Sequence, residues 1–135
     1  MDEERGFTLV EMIIVMAVIA ALTAISIPVS TGIVNKAKGT RIASKIDQIA
    51  NAAISYKTET GNSPGSLSAL SDYLKTTSLP SYGIIASDST SCTIQASPYT
   101  DNNTAYIKAA NVLKATYGDT LVTESSTHVN LKILF

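Results

Sequence analysis

Arg5-Gly6-Phe7-Thr8-Leu9-Val10-Glu11 leads without a break into MIIVMAVIAALTAISI over residues 12–27. The uncharged stretch continues to Asn35, so Glu11 is the only charged residue between Arg5 and Lys36. As a helix this run is long enough to cross the roughly 30 Å hydrocarbon layer of a bilayer, and it reads as a membrane span. A secretory signal peptide cut near Ala24 is the competing reading, but such peptides open with a positive region. Here Asp2, Glu3 and Glu4 stand against Arg5 alone.

Glu11 decides between the two. A carboxylate one turn into an apolar helix costs about 2.5–3.5 kcal/mol at mid-bilayer on insertion scales, so an ionisable group placed there is a functional hypothesis. It calls for a cation inside the membrane or in an assembled bundle, and no Lys or Arg lies nearby in the chain.

The residues from Arg5 to Glu11, followed at once by the apolar run, resemble the prepilin cleavage motif of type IV pilins and type II secretion pseudopilins. The resemblance implies a 1–6 leader removed by prepilin peptidase after Gly6, N-methylation of the new terminal residue Phe7, and assembly through Glu11. The missing cation is then the α-amino group of Phe7, whose unperturbed pKa near 8 keeps it largely protonated at neutral pH. In the family, that amine pairs with the Glu of a neighbouring subunit. Gly6 suits the position before the cut because its backbone is unobstructed. The leader departs from the family in being acidic. Lys36, Lys38, Arg41 and Lys45 follow the apolar run, so charge counting would put the head in the cytoplasm. The cleavage motif puts the leader there instead and takes precedence.

Beyond Lys36, Ile42, Ile46, Ile49, Ala53 and Tyr56 recur at spacings of four, three, four and three, one face of a helix. Helix formers run to Thr58, and Gly61-Asn62 with Pro64 supply a stop. Helix over 7–58 would be roughly 78 Å long. Its 7–34 part is the membrane and assembly segment, and 35–60 is the amphipathic part on which a 61–135 head packs. Pro28 and Gly32 interrupt it. A proline removes a backbone donor and clashes with the preceding turn, so a kink or a melted turn is expected. The resemblance implies a hinge at Pro28 and Gly32 that unwinds as the subunit leaves lipid; a static kink is the alternative.

The passage Ile54 to Pro64, with Leu67 and Leu70 after it, is similar to the helix-to-loop region of pseudopilins and small pilins. It predicts a short helix over 66–74. Residues 82–87 and 92–97 flank Asp88-Ser89-Thr90-Ser91 and read as a hairpin, 98–103 as a loop, and 104–117 as a helix with Asn103 as cap. A last hairpin pairs 121–124 with 129–135, where Val129, Leu131, Ile133 and Phe135 alternate with Asn130, Lys132 and Leu134. The fold class is therefore α+β: a long N-terminal helix, membrane-spanning in its first half, against a small antiparallel sheet.

The chain has a net charge of −1, and removing the leader takes one of ten cations and three of eleven acids, so no strongly charged partner is implied. Cys92 has no second cysteine to pair with and reads as a small buried strand residue. His128 is the only histidine, and no spacing suggests a catalytic triad or metal set, which argues against an enzyme, a resident metal or a cofactor. Calcium ligands known in some pseudopilins do not carry over, since Asp101 and Asp119 are scattered. A DNA-binding module rests only on Lys108 and Lys114, and from Asn62 on four Lys face five Asp and Glu, which argues against nucleic acid.

The expected function is that of a structural subunit of a type IV pilus-like filament. The alternatives within the class are a pseudopilin of a secretion or competence pseudopilus and, more remotely, a DNA-binding or adhesive minor pilin. The implied partners are further copies of the chain, the prepilin peptidase, the pilus assembly machinery of the inner membrane, and the lipid bilayer before assembly. The implied location is the inner membrane and then an extracellular or periplasmic filament.

Overall fold

The computed structural model describes residues 7–75, 79, 81–98 and 103–135, with the side chains of 26–30 outside the description. Helix α1 spans Leu9–Thr60, followed by a 3₁₀ turn at Leu67–Leu70, strand β1 at Tyr82–Asp88, β2 at Ser91–Ala96, helix α2 at Asn103–Tyr117, β3 at Val122–Glu124 and β4 at Val129–Leu134. The four antiparallel strands lie in the order β1-β2-β4-β3. An α+β architecture of a long N-terminal helix with a small antiparallel sheet is thus observed. The chain divides into two compact units, Met1–Val34 and Asn35–Phe135.

In the first unit α1 starts at Leu9 rather than Phe7, because Thr8 sits at its entrance as a capping residue. The backbone is helical through both Pro28 and Gly32, with no melted turn at either position. The Pro28 side chain, the leader with Gly6, and Asp101 in the 98–103 loop lie outside the described residues. Every side chain from Phe7 to Ile25 is exposed. Among the described residues no helix is both long and apolar enough to cross a membrane. The apolar run with described side chains ends at Ile25, roughly 26 Å from Leu9 as helix, while the uncharged sequence continues beyond it.

The second unit holds the core. Ile42, Ile46, Ile49 and Ala53 are fully buried and Tyr56 partly so, as their spacing predicts. They form one cluster with Leu70, with Cys92, Ile94 and Ala96 of β2, with Tyr106, Ala109 and Leu113 of α2, and with Val129, Leu131 and Ile133 of β4. The alternation read in β4 is observed, with Asn130 half-buried, Lys132 exposed between buried Leu131 and Ile133, and Leu134 exposed before the half-buried Phe135 that follows the strand. α1 and α2 pack tightly at Gly39, where an added Cβ would lie 2.5 Å from Cβ of Lys108 and 3.0 Å from both the Ala105 oxygen and the Ala109 nitrogen. Only hydrogen on that Cα lets α1 and α2 approach this closely.

Helix ends follow the glycines. Gly61 (φ +72°) and Gly118 (φ +92°) adopt the left-handed conformation that closes a helix, each donating its N–H at 2.9 Å to the carbonyl four residues back, Lys57 and Lys114. α1 therefore reaches Thr60, two residues past the expected end. Helix over 66–74 is a correction: only Leu67–Leu70 is helical, as a 3₁₀ turn, and Ser66 makes no side-chain cap bond. Serines at 66, 68 and 71 favour local alternatives to a helix, and the turn needs only to bury Leu70. The first hairpin is tighter than expected, with Asp88 opposite Ser91 and Ser89-Thr90 as its loop, and a register shift between Ile84 and Ala86 turns Ile85 outward.

Long-range polar contacts tie these pieces down. Lys57 Nζ donates to the Ser89 carbonyl at 2.9 Å and lies 5.7 Å from the centre of the Phe135 ring, fixing the hairpin tip and the last residue to α1. The Tyr117 hydroxyl donates to Asp47, and the Tyr73 hydroxyl to Glu59.

Candidate assembly site

The site begins with Thr8-Leu9-Val10-Glu11, an S/T-x-x-E pattern at the mouth of an apolar helix. The first amides of a helix have no partners within it and must find them elsewhere. Thr8 Oγ1 accepts from the Glu11 N–H at 3.2 Å, and Glu11 Oε2 accepts from the Thr8 N–H and from the Thr8 hydroxyl, each at 2.8 Å. The first helical backbone bond runs from the Met12 N–H to the Thr8 carbonyl at 3.2 Å. This is a reciprocal capping box, and the carboxylate also lies at the positive end of the helix dipole.

The cap amends the premise that Glu11 must wait for a cation: within a single chain it already accepts two hydrogen bonds from Thr8. Phe7 lies next to Thr8 and is exposed, as are Leu9, Val10 and Met12. An exposed aromatic, a fixed carboxylate and an apolar helical surface therefore occupy one end of the chain. Such a surface requires a lipid or protein neighbour.

The other residues singled out by sequence are not brought together. Lys114 pairs with Glu124 at 3.5 Å, whereas Lys108 lines a groove with Lys36 and Thr40, so the two α2 lysines form no common patch. His128 stands at the start of β4, its Nδ1 3.2 Å from the Thr127 hydroxyl. No group of three His, Cys, Asp or Glu is placed to hold a metal among the described residues. The Cys92 thiol is buried and pushed up to about 11 by loss of solvent, away from the thiolate form that reacts.

Residues 1–27 match the family described as the prokaryotic N-terminal methylation motif, and this match supports a type IV pilin-like prepilin. That motif implies a membrane-anchored precursor, processing by prepilin peptidase, and a structural rather than a catalytic role. No curated protein and no solved structure matches the chain.

Proposed function

We propose that the chain is the structural subunit of a type IV pilus-like filament, cut between Gly6 and Phe7, N-methylated at Phe7, and assembled through the 7–34 segment. The carrying observation is the match to the methylation motif over residues 1–27 together with an apolar helix whose every side chain from Phe7 to Ile25 is exposed. Before assembly that surface lies in the lipid of the inner membrane; in the filament it packs against other copies. Glu11 meets the Phe7 ammonium of a neighbour, and Pro28 with Gly32 forms the compliant stretch that adjusts as lipid is exchanged for protein. A pseudopilus of a secretion or competence system would use the same parts.

Mass spectrometry of the protein from its own cells tests the reading. Residues 1–6 should be absent and Phe7 should carry an N-methyl group. An N-terminus near Ser26 would establish an ordinary signal peptide and overturn it.

A further inference from the structure

We propose that the start of the second unit carries a basic collar that binds anionic phospholipid headgroups; this rests on the reading that the preceding apolar helix lies in a bilayer. Lys36, Lys38, Arg41 and Lys45 follow the apolar run two, four, seven and eleven residues after Val34, and α1 has no acid between Asn35 and Ile46. At 100° per residue, Lys38, Arg41 and Lys45 share one face of the helix, and Lys36 points to the opposite one. The fold adds a fifth cation that sequence order does not place there. Gly39 packs directly against Cβ of Lys108, which sets that lysine level with the first turns of the unit, and Lys108 lines one groove with Lys36.

Positive charge therefore surrounds the helix instead of running along one side. Lys36, Arg41 and Lys108 are exposed. From Lys36 to Arg41 the helix rises roughly 8 Å, comparable to the headgroup layer on one side of a bilayer. Only Asn35 separates Val34 from Lys36, so chain connectivity alone holds Lys36 within roughly 7 Å of the end of the apolar run. A planar anionic surface pierced by the helix meets such a ring on all sides. A nucleic acid would meet only one face, and it would find no stacking aromatic in the groove: Tyr106 is fully buried and the Tyr117 hydroxyl is bonded to Asp47. Neither α2 nor the 35–46 stretch of α1 contains an acid, and the next acid on α1, Asp47, accepts from the Tyr117 hydroxyl.

The test is lipid selectivity of the full chain in phosphatidylcholine vesicles, read by electron spin resonance with trace spin-labelled phosphatidylglycerol or phosphatidylcholine. The protein should restrict the anionic label roughly two- to five-fold more than the neutral one. The preference should fall to near one in the K36Q/R41Q/K108Q variant, and also for the unaltered protein in about 1 M salt, where charges more than about 3 Å apart are screened. Lys36→Arg with Lys108→Arg should retain it. Equal restriction of both labels would overturn the collar while leaving the membrane helix standing. Restriction of neither label would overturn the membrane reading and the collar with it. A lipid preference unchanged in the K36Q/R41Q/K108Q variant, with loss of duplex DNA retardation, would assign these cations to nucleic acid and overturn the proposal.

Discussion

Replacing Gly39 with Ala tests the packing of α1 on α2 by adding a single methyl group. By helix propensity alone the change should stabilise, because glycine inside a helix is about 1 kcal/mol worse than alanine. Packing opposes it. The new carbon would sit 2.5 Å from Cβ of Lys108 and 3.0 Å from two backbone atoms of α2, the Ala105 oxygen and the Ala109 nitrogen. Carbon atoms rest at about 3.5–4.0 Å, so the helices must separate by roughly 1 Å. None of the three atoms is the free end of a flexible chain. Overpacking costs about 1–3 kcal/mol, and contacts this short against backbone belong to the upper part of that range, about 2–3 kcal/mol, so subtracting the propensity gain leaves a net loss of about 1–2 kcal/mol. For a unit of this size that lowers Tm by roughly 5–10 °C. The measurement is thermal or urea unfolding of the full chain in detergent. A fragment starting at Asn35 would fray beside Gly39 and relieve the contact. Gly83→Ala, inside β1 with nothing within 4 Å of the added carbon, serves as the control and should stabilise by about 0.5–1 kcal/mol, the gain expected where no contact opposes it. A Gly39→Ala protein as stable as the original, or more so, would refute the close crossing.

Other expectations follow from the same contacts. Tyr73 is pushed up to about 12, chiefly by its hydrogen bond to Glu59, and Tyr117 to about 12, chiefly by burial and then by Asp47. Because the folded values exceed the unfolded value near 10, their contribution is complete below pH 10 and is lost as pH rises from about 10 to 12. Tyrosinate absorbance should show a late-titrating phase that disappears in the Tyr73→Phe, Tyr117→Phe double variant, whose stability should fall less steeply over that window; an unchanged titration would remove both pairings. Cys92 should resist a thiol reagent in the native protein and react only on unfolding, and rapid native labelling would contradict its burial. Thr8→Ala should fray the first turn of α1 at a cost of about 1 kcal/mol, read as faster amide exchange at Glu11 and Met12. Unchanged exchange would count against the capping box.

How far the sequence could be read depended on the range of the interaction. The amphipathic face of α1 was legible because its large residues recur at the helical period, and β4 because Val129, Leu131 and Ile133 alternate with less buried neighbours. The stop at Gly61 was legible because a left-handed residue at a helix end is a local requirement. The sheet order was not, since the β2–β4 pairing joins Ser91 to Leu134 across α2, and no local pattern encodes that register. The approach of α1 to α2 was equally hidden. Its closest point joins Gly39 to Ala105 and Ala109, small residues that hydrophobic periodicity barely registers. At the site, Glu11 stood out through its charge in an apolar run. The role of Thr8 was present in the S/T-x-x-E spacing, but a reading of Glu11 for charge alone passes over it.

The cap bears on whether one carboxylate serves both the single chain and an assembly. Both bonds from Thr8 end on Oε2 of Glu11, and an ionised carboxylate offers about four lone-pair positions over its two oxygens. Capping and pairing with an ammonium are therefore compatible, and the cap fixes the carboxylate before a neighbour arrives. The two roles separate by substitution. Glutamine keeps the acceptor that a capping box needs but lacks charge, whereas alanine lacks both. If Glu11 acts in assembly only by holding the helix start, Glu11→Gln should form surface filaments nearly as well as the original chain, and Thr8→Ala should impair them. If the Phe7 amine of a neighbour is its partner, Glu11→Gln and Glu11→Ala should both lose filaments severely, because a charged amine buried without its counter-ion costs several kcal/mol. Thr8→Ala should then be the milder change. We expect the second pattern in sheared-filament yield measured in the same cells, and filaments restored by Glu11→Gln would remove the charge pair from the mechanism.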